Sequence, residues 1–222
     1  LYAVVCDGMG GERGGQVASQ TAVEIIGNML GRDIRPGIGA GEIKSVLECA
    51  VAGANATVHD MARRKPELKG MGTTIVAAVV LGATVYLLSA GDSRAYRYSK
   101  GEVSQLTRDH TVVQLLLERG EITPDEAKTH PQRHYITRAL GVEPTLATDY
   151  MEYTLRPGEL LLICSDGLYR YVGEQQLPSL LEECGRVGVV DPLIDAANRG
   201  GGGDNITAVV IAQEREEANC RG

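Results

Sequence analysis

Large aromatic side chains are scarce in this sequence. It contains no Trp and no Phe, and all 9 aromatic residues are Tyr. A folded interior must therefore be built from Val, Ile, Leu and Ala. With 43% hydrophobic and 23% charged residues, the composition is otherwise that of a globular protein, which excludes a disordered or collagen-like chain. The length of 222 residues fits one large domain or two small ones.

Basic residues are outnumbered, and cysteines are few and scattered. The 22 Lys and Arg face 29 Asp and Glu, and no basic stripe stands out, which argues against a nucleic-acid partner. The 5 cysteines show no C-x-x-C spacing, so neither a disulfide framework nor a zinc ribbon is indicated. Cys6 and Cys164 lie in apolar runs and are predicted core residues. A reducing cytoplasm is the expected compartment.

One uncharged stretch is as long as a membrane span. Residues 70–91 carry no charge, and a span needs roughly 20 residues. Thr73, Thr74, Gly82 and other polar or small residues interrupt the stretch, and β-branched residues dominate the rest. We predict a hairpin of two buried strands instead. The start of the sequence lacks the basic region followed by an apolar region that is typical of a signal peptide.

Hydrophobic periodicity divides the chain into helices and strands. Helices are predicted over 17–29, 41–62, 112–119, from a capped start at Thr123, over 177–184 and over 191–198. Strands are predicted over 1–6, 160–164 and 206–212, with a meander over 73–80, 84–89, 93–98 and 102–106. Residues 120–141 are polar and predict a mobile excursion. We expect one domain over residues 1–213 and a charged, frayed tail over 214–222.

Aspartates lie at the ends of several predicted strands, mostly beside glycine. Asp7 and Asp166 follow apolar strands, Asp92 follows another, and Asp204 precedes the last one. In an antiparallel sheet the end of one strand lies beside the start of its neighbour, so these carboxylates can share one rim. Clustered carboxylates repel, and an oxygen-only donor set suits Mg²⁺ or Mn²⁺ rather than Zn²⁺. The alternative is that each Asp-Gly pair only forms a turn.

Several short motifs resemble the signatures of one family, the bacterial metal-dependent (PPM, type 2C) serine/threonine protein phosphatases. They are Asp7-Gly8-Met9-Gly10-Gly11, Met71-Gly72-Thr73-Thr74, Gly91-Asp92-Ser93-Arg94, Asp109-His110-Thr111, Ile136-Thr137-Arg138-Ala139-Leu140-Gly141, Ser165-Asp166-Gly167 and Asp204-Asn205. The motifs occur in the family's order and span essentially the whole chain. Each is weak alone, but together they are specific.

The resemblance implies an α+β fold, a four-layer αββα sandwich of two antiparallel sheets flanked by helix pairs, with metals at one edge. It also assigns roles to the aspartates. Asp7 would bridge two metal ions, and the carbonyl of Gly8 would ligate the second. Asp166 and Asp204 would hold the first ion, while Asp92 with Asp166 would serve a third, weaker site.

The same resemblance implies an activity and partners. A hydroxide bridging two Mg²⁺ or Mn²⁺ ions would attack phosphoserine or phosphothreonine in a phosphorylated protein, opposing a bacterial serine/threonine kinase. Two alternatives stay open. The domain could bind phosphoproteins or a kinase without turnover, or it could be a sporulation-type phosphatase acting on an anti-sigma antagonist.

Further candidates surround the predicted metal ligands. Asn205 would brace Asp204 through its amide. Met9 stands where eukaryotic relatives place a candidate general acid, and His134 and His110 are possible substitutes. Arg138 could contact phosphate or brace aspartates, although a structural salt bridge is an equal alternative.

Two further expectations concern a cysteine and the start of the chain. Cys164 lacks the phosphate-cradling loop of cysteine phosphatases and is predicted to be core. The family domain begins about thirty residues earlier, within ordinary domain lengths. That segment carries a phosphate-gripping Arg, an acidic residue and edge strands. We therefore expect this to be a shortened form that is weakly active or self-associates.

Overall fold

Two antiparallel sheets stacked face to face organise the computed structural model, which describes residues 1–213. A layer of helices covers the outer face of each sheet. The apolar cluster between the sheets joins residues of both, including Val76 of one and Leu161 of the other. The four-layer sandwich inferred from the motifs is therefore confirmed.

The first sheet has the strand order β1-β4-β5-β8. Its members are β1 (Tyr2–Val5), β4 (Ile75–Leu81), β5 (Thr84–Ala90) and β8 (Asp149–Thr154). The second sheet has the order β10-β9-β6-β7. Its members are β6 (Arg94–Ser99), β7 (Glu102–Gln105), β9 (Leu160–Cys164) and β10 (Ala208–Ala212). A short pair, β2 (Gly8–Met9) with β3 (Gly72–Thr73), lies at the end of the first sheet.

The helices are α1 (Glu12–Asp33), α2 (Ala40–Arg64), α3 (Val112–Glu118), α4 (Pro124–Thr129), α5 (Asp166–Tyr169), α6 (Leu177–Val187) and α7 (Asp191–Arg199), with a 3-10 turn at Pro66–Leu68. Five of the helices form two layers, and the other two, α3 and α4, lie in the segment that connects β7 to β8. The pair α1 and α2 packs on the first sheet, and α5, α6 and α7 pack on the second. Helix α4 begins with the predicted capping box, in which Thr123 and Glu126 satisfy each other's backbone N–H groups.

Strand β4 explains why its sequence is an unbroken apolar run. Ile75 and Ala77 face α1 and α2, whereas Val76 and Ala78 face the second sheet. Successive side chains of a strand point to opposite faces, and here both faces are buried. The uncharged stretch is therefore the predicted hairpin of β4 and β5, joined in antiparallel register from Ile75↔Ala90 to Leu81↔Thr84. Within residues 1–213 no helix has the length and apolar character to cross a membrane.

Three predictions of local structure need correction. The expected meander is wrong: its first two strands form a hairpin in the first sheet, and its last two form a hairpin in the second. Strand β8 and the one-turn helix α5 were not predicted at all. Helix α1 also begins at Glu12, earlier than its apolar spacing indicates. The predicted tail, 214–222, lies outside the described residues, and the mobility of 120–141 stays a prediction.

Candidate active site

Four aspartates line one cavity of about 720 Å³ at an edge of the sandwich. Asp7 follows β1, Asp92 follows β5, Asp166 follows β9, and Asp204 precedes β10. Strands β9 and β10 pair antiparallel, with Cys164 opposite Ala208, so the end of one and the start of the other share a rim as expected. Gly8 and His134 also line this cavity.

The backbone of Asp7 is fixed by two threonines at the start of the hairpin. The Asp7 N–H donates to Thr74 Oγ1 over 3.0 Å, and the Thr74 N–H donates to the Asp7 carbonyl oxygen over 2.8 Å. Thr73 Oγ1 donates to the same carbonyl over 2.9 Å. Thr74 Oγ1 also shares a buried 2.7 Å hydrogen bond with Ser93 Oγ, which ties Asp7 to the segment after Asp92. The two threonines of the Met71-to-Thr74 motif therefore hold the backbone of Asp7 in place.

Gly8 allows the Asp7 loop to lie directly on the start of α1. A Cβ atom at Gly8 would stand 2.0 Å from the Gly15 carbonyl oxygen, which no side chain tolerates. Gly14 and Gly15 are themselves buried in the first turns of α1. This glycine contact explains why the helix begins before its apolar stripe does.

Asp166 and Asp204 are brought together by a clamp at the start of α5. Ser165 Oγ donates to the Asn205 carbonyl oxygen over 3.0 Å and accepts from the Thr207 N–H over 3.0 Å. A Cβ atom at Gly167 would lie 2.3 Å from that Asn205 oxygen, so only glycine permits this approach. The Asn205 contact with Asp204 is made by its backbone N–H, which donates to Asp204 Oδ1 over 2.8 Å.

Asp92 is 3% exposed and contacts a side chain that sequence reasoning missed. Arg170 Nη2 lies 3.2 Å from Asp92 Oδ2 and 2.9 Å from Asp166 Oδ2. The neighbouring Tyr169 hydroxyl donates to the Asp92 carbonyl oxygen over 3.0 Å. Arg170 follows Asp166 by one helical turn, a spacing that places both side chains on one face. That signal was hidden because the Asp-Gly pair does not look like a helix start.

Burial and mutual repulsion both disfavour charged carboxylates in the cavity. Burial, followed by the charges of Asp166, Asp204 and Asp92, raises the pKa of Asp7 to about 8. Burial and Asp166 raise the pKa of Asp92 to about 6, although Arg170 acts in the opposite direction. Among the described residues that line the cavity, Arg170 is the only side chain with a permanent positive charge.

The site fits a hard cation by charge and by donor type. Its donors are carboxylate and carbonyl oxygens, which Mg²⁺ and Mn²⁺ prefer. Burial, and then the charges of the neighbouring carboxylates, raise the pKa of Asp7, which a bound cation would counter. As the side chains stand, no three carboxylate, imidazole or thiol groups within residues 1–213 converge closely enough to ligate one ion. The four aspartates nevertheless line one cavity, so ligation of an ion would require a change of side-chain rotamer rather than of the fold.

Two predicted substrate candidates occupy different positions. His134 reaches the cavity from the segment after α4 and contacts Arg170 Nη1 through its Nδ1. Burial and the adjacent Arg170 lower the pKa of His134. Arg138 does not line the cavity; its Nη1 lies 2.9 Å from Asp149 Oδ1 and 3.0 Å from His110 Nε2. The structural salt bridge is therefore the observed arrangement for Arg138.

His110 is placed where it cannot protonate a leaving group. It is 3% exposed, does not line the cavity, and accepts a hydrogen bond from the Gly91 N–H at Nδ1 over 3.1 Å. Burial is the main cause of its lowered pKa. The expectation of an acid role for His110 is wrong, and the ring instead supports the backbone that precedes Asp92.

Cys164 is a core residue, as expected. It is 0% exposed in β9, and burial raises the pKa of its thiol to about 12. A thiol that stays protonated at neutral pH is a poor nucleophile.

A second cavity, of about 810 Å³, adjoins the first and shares Asp92, Arg170, His134 and Asp204 with it. Its other walls include Leu117 of α3 and the ring of Tyr171. The two cavities together form a continuous cleft between the excursion and the second sheet.

Comparison with known proteins identifies the family. The protein phosphatase 2C family model matches residues 1–192. The chain is 40% identical over 215 residues to the serine/threonine protein phosphatase PstP of Mycobacterium tuberculosis, covering 93% of this chain and 39% of that protein's length. It is 36% identical to the serine/threonine phosphatase stp of Listeria innocua, covering 94% of this chain and 82% of that protein.

Solved structures agree with this match. The crystal structure of the PstP catalytic domain in complex with two manganese ions superposes with a TM-score of 0.82 and 36% identity, covering 94% of this chain and 86% of that one. The fold, the motif order and these likenesses lead to one conclusion: the chain belongs to the protein phosphatase 2C family of serine/threonine phosphatases.

Proposed function

We propose that this chain is a Mg²⁺- or Mn²⁺-dependent phosphatase that hydrolyses phosphoserine and phosphothreonine in proteins. The observation that carries the proposal is the convergence of Asp7, Asp92, Asp166 and Asp204 on one cavity, where the pKa of Asp7 is raised. A site built only to be stable would not gather acids in excess of its cations.

Asp7, Asp166 and Asp204 would hold two divalent ions, with the Gly8 carbonyl as a further ligand. Bound divalent ions supply a water nucleophile at neutral pH and neutralise charge on the phosphoryl oxygens. The chain's own residues set the geometry. Thr74 bonds the backbone of Asp7, and Ser165 bonds the backbone of Asn205 next to Asp204, so the loops that carry these carboxylates are held before substrate arrives.

Among the candidates Met9, His110 and His134, no side chain is suited to donate a proton to the departing serine or threonine oxygen. Met9 has no proton to give, and His110 lies elsewhere. His134 contacts Arg170 and has a lowered pKa, so the ring is neutral near pH 7 and can only orient a partner by hydrogen bonding. We therefore assign proton transfer to solvent in the cleft.

The substrate is a folded or extended phosphoprotein segment rather than a small metabolite. The cavity that adjoins the aspartate cavity, about 810 Å³ in volume, offers space for residues that flank a phosphorylated side chain. A bacterial serine/threonine kinase and its substrates are the predicted partners, and a cytoplasmic setting stays a prediction.

Hydrolysis of p-nitrophenyl phosphate and of a phosphothreonine peptide with Mn²⁺ tests the proposal. Asp204→Asn should abolish both activities, whereas Asp195→Asn, an equally conservative change at an exposed position of α7, should leave both unchanged. Tight binding of the phosphopeptide by the wild-type chain with no turnover would support the non-catalytic alternative instead.

A further inference from the structure

Arg170 stands where the family resemblance places a third ion. That resemblance assigns Asp92 and Asp166 jointly to a weak third metal site. In the structure the same two carboxylates are joined by Arg170 Nη2, at 3.2 Å from Asp92 Oδ2 and 2.9 Å from Asp166 Oδ2. The contact with Asp92 is a hydrogen bond between charged groups, and the contact with Asp166 is an ion pair.

Helix α5 places the arginine beside both carboxylates. Its backbone N–H donates to the Asp166 carbonyl oxygen over 3.0 Å, which fixes it one turn after Asp166. The Asp92 and Asp166 side chains are only 4% and 13% exposed, and the arginine itself is 26% exposed. His134 contacts the other guanidinium nitrogen from the opposite wall of the cleft.

A guanidinium and a divalent ion cannot share this place. A Mg²⁺ ion needs the carboxylate oxygens at about 2.0–2.1 Å, inside the space that the Arg170 nitrogen fills. A second cation set beside a fixed one is also repelled in a buried site. The side chain therefore supplies the positive charge that an ion would otherwise bring.

We propose that Arg170 is a built-in cation that replaces a third divalent ion between Asp92 and Asp166, so that the chain binds two ions rather than three. The count of two rests on the proposed function, but the replacement of the third ion does not. Arg170 is thus a positioning residue, which holds Asp92 and Asp166 in place without an ion that could dissociate.

Counting bound Mn²⁺ tests this directly. The electron paramagnetic resonance signal of free Mn²⁺ is recorded as the ion is titrated into the full chain, and the loss of signal gives the ions bound per chain. We expect two for the wild type, two for Arg170→Lys, and one additional ion for Arg170→Gln and Arg170→Ala. Thermal unfolding of each variant checks that it is folded before ions are counted.

Arg97→Gln is the matched control. Arg97 pairs with Glu159, whose side chain is 5% exposed, and neither residue lines the aspartate cavity. An extra ion in this variant too would show that any orphaned carboxylate binds Mn²⁺, and would overturn the proposal. Three ions in the wild type, or an unchanged count in both neutral Arg170 variants, would also overturn it.

The two proposals fail in different ways. A wild-type chain that binds fewer than two ions contradicts the proposed function. An additional ion in Arg170→Gln relative to that wild-type count would still support the role of Arg170.

Discussion

The interior between the sheets and the aspartate cavity meet at the end of β5 and are built from opposite chemistry. Leu87 of β5 is 1% exposed among apolar side chains, and Asp92, just beyond the same strand, is 3% exposed among carboxylates. Burial of Leu87 lowers the free energy of the folded state, whereas burial of Asp92 raises it. One strand thus supplies stability along its length and a functional charge at its end.

Asp7→Asn should have the largest effect on turnover of the changes considered. It should also show that the cavity, unlike the interior, contributes to activity at the expense of stability. Loss of this carboxylate is expected to reduce Mn²⁺-dependent turnover by about 100-fold or more, because even residues that only support metal ligands cost 10–100-fold. In chelator at neutral pH the same variant should be more stable than the wild type, because the wild type must bury the Asp7 carboxyl beside other carboxylates and take up a proton there as it folds. Phosphatase assays and urea unfolding measure the two effects, and lower stability in chelator would contradict the account.

Leu161→Ala should lower stability and leave turnover unchanged, the opposite of the Asp7→Asn result. This side chain is fully buried between the sheets, so truncation is expected to cost about 2–5 kcal/mol in the free energy of unfolding. Urea denaturation measures the loss, and turnover per folded molecule should be unchanged. A variant of unchanged stability that had lost turnover would break the division between interior and cavity.

The interior was far easier to predict from sequence than the cavity was. Apolar runs such as 75–80 and 160–164 predicted strands correctly because burial on both faces leaves only one kind of side chain there. Strand β8 was missed because its residues are only partly buried and half of them are polar or charged.

Within the cavity, the aspartates were visible because each one follows or precedes a strand. Arg170 was not visible, because its role depends on the short helix α5, which was not predicted, and on the fold that brings Asp92 within reach of its side chain. The exclusion of His110 likewise required the fold, since only burial and its bond to the Gly91 N–H show that it cannot meet substrate.

Thr74→Val sharpens the comparison at the point where the two regions meet. The hydroxyl is buried and bonded to both the Asp7 N–H and Ser93 Oγ. Removing it should cost about 1–3 kcal/mol, because the Asp7 N–H loses its partner. The affinity for Mn²⁺ should fall as well. Thr57→Val, at an exposed position of α2, is the control and should stay within about 0.5 kcal/mol of the wild type.

The pH dependence of the metal-free protein offers a smaller effect with a defined sign. The pKa of Asp7 rises from 3.8 to about 8 on folding, so the folded state binds the proton more tightly than the unfolded state does. Stability in chelator should therefore fall as pH rises from about 4 to about 8, by at least the ~1.4 kcal/mol that one pKa unit represents. Asp7→Asn should lack this part of the slope; an equal slope in both proteins would contradict the assignment.

His134→Gln should have the smallest effect. A general acid contributes about 100-fold or more to a rate, and the ring of His134, whose pKa is lowered by burial and by Arg170, is not in the protonated form that would act as one near pH 7. The turnover number should fall by less than about tenfold. A loss of about 100-fold or more, together with disappearance of the alkaline limb from the pH–rate profile, would show that His134 does donate a proton.

Crystals of the chain grown with Mn²⁺ and measured at the manganese absorption edge test the central claim most directly. The account predicts two anomalous peaks in the cavity, bounded by the side chains of Asp7, Asp166 and Asp204, with Arg170 still between Asp92 and Asp166. Anomalous maps with no peak at those aspartates, from crystals of a chain that hydrolyses phosphopeptides, would contradict it.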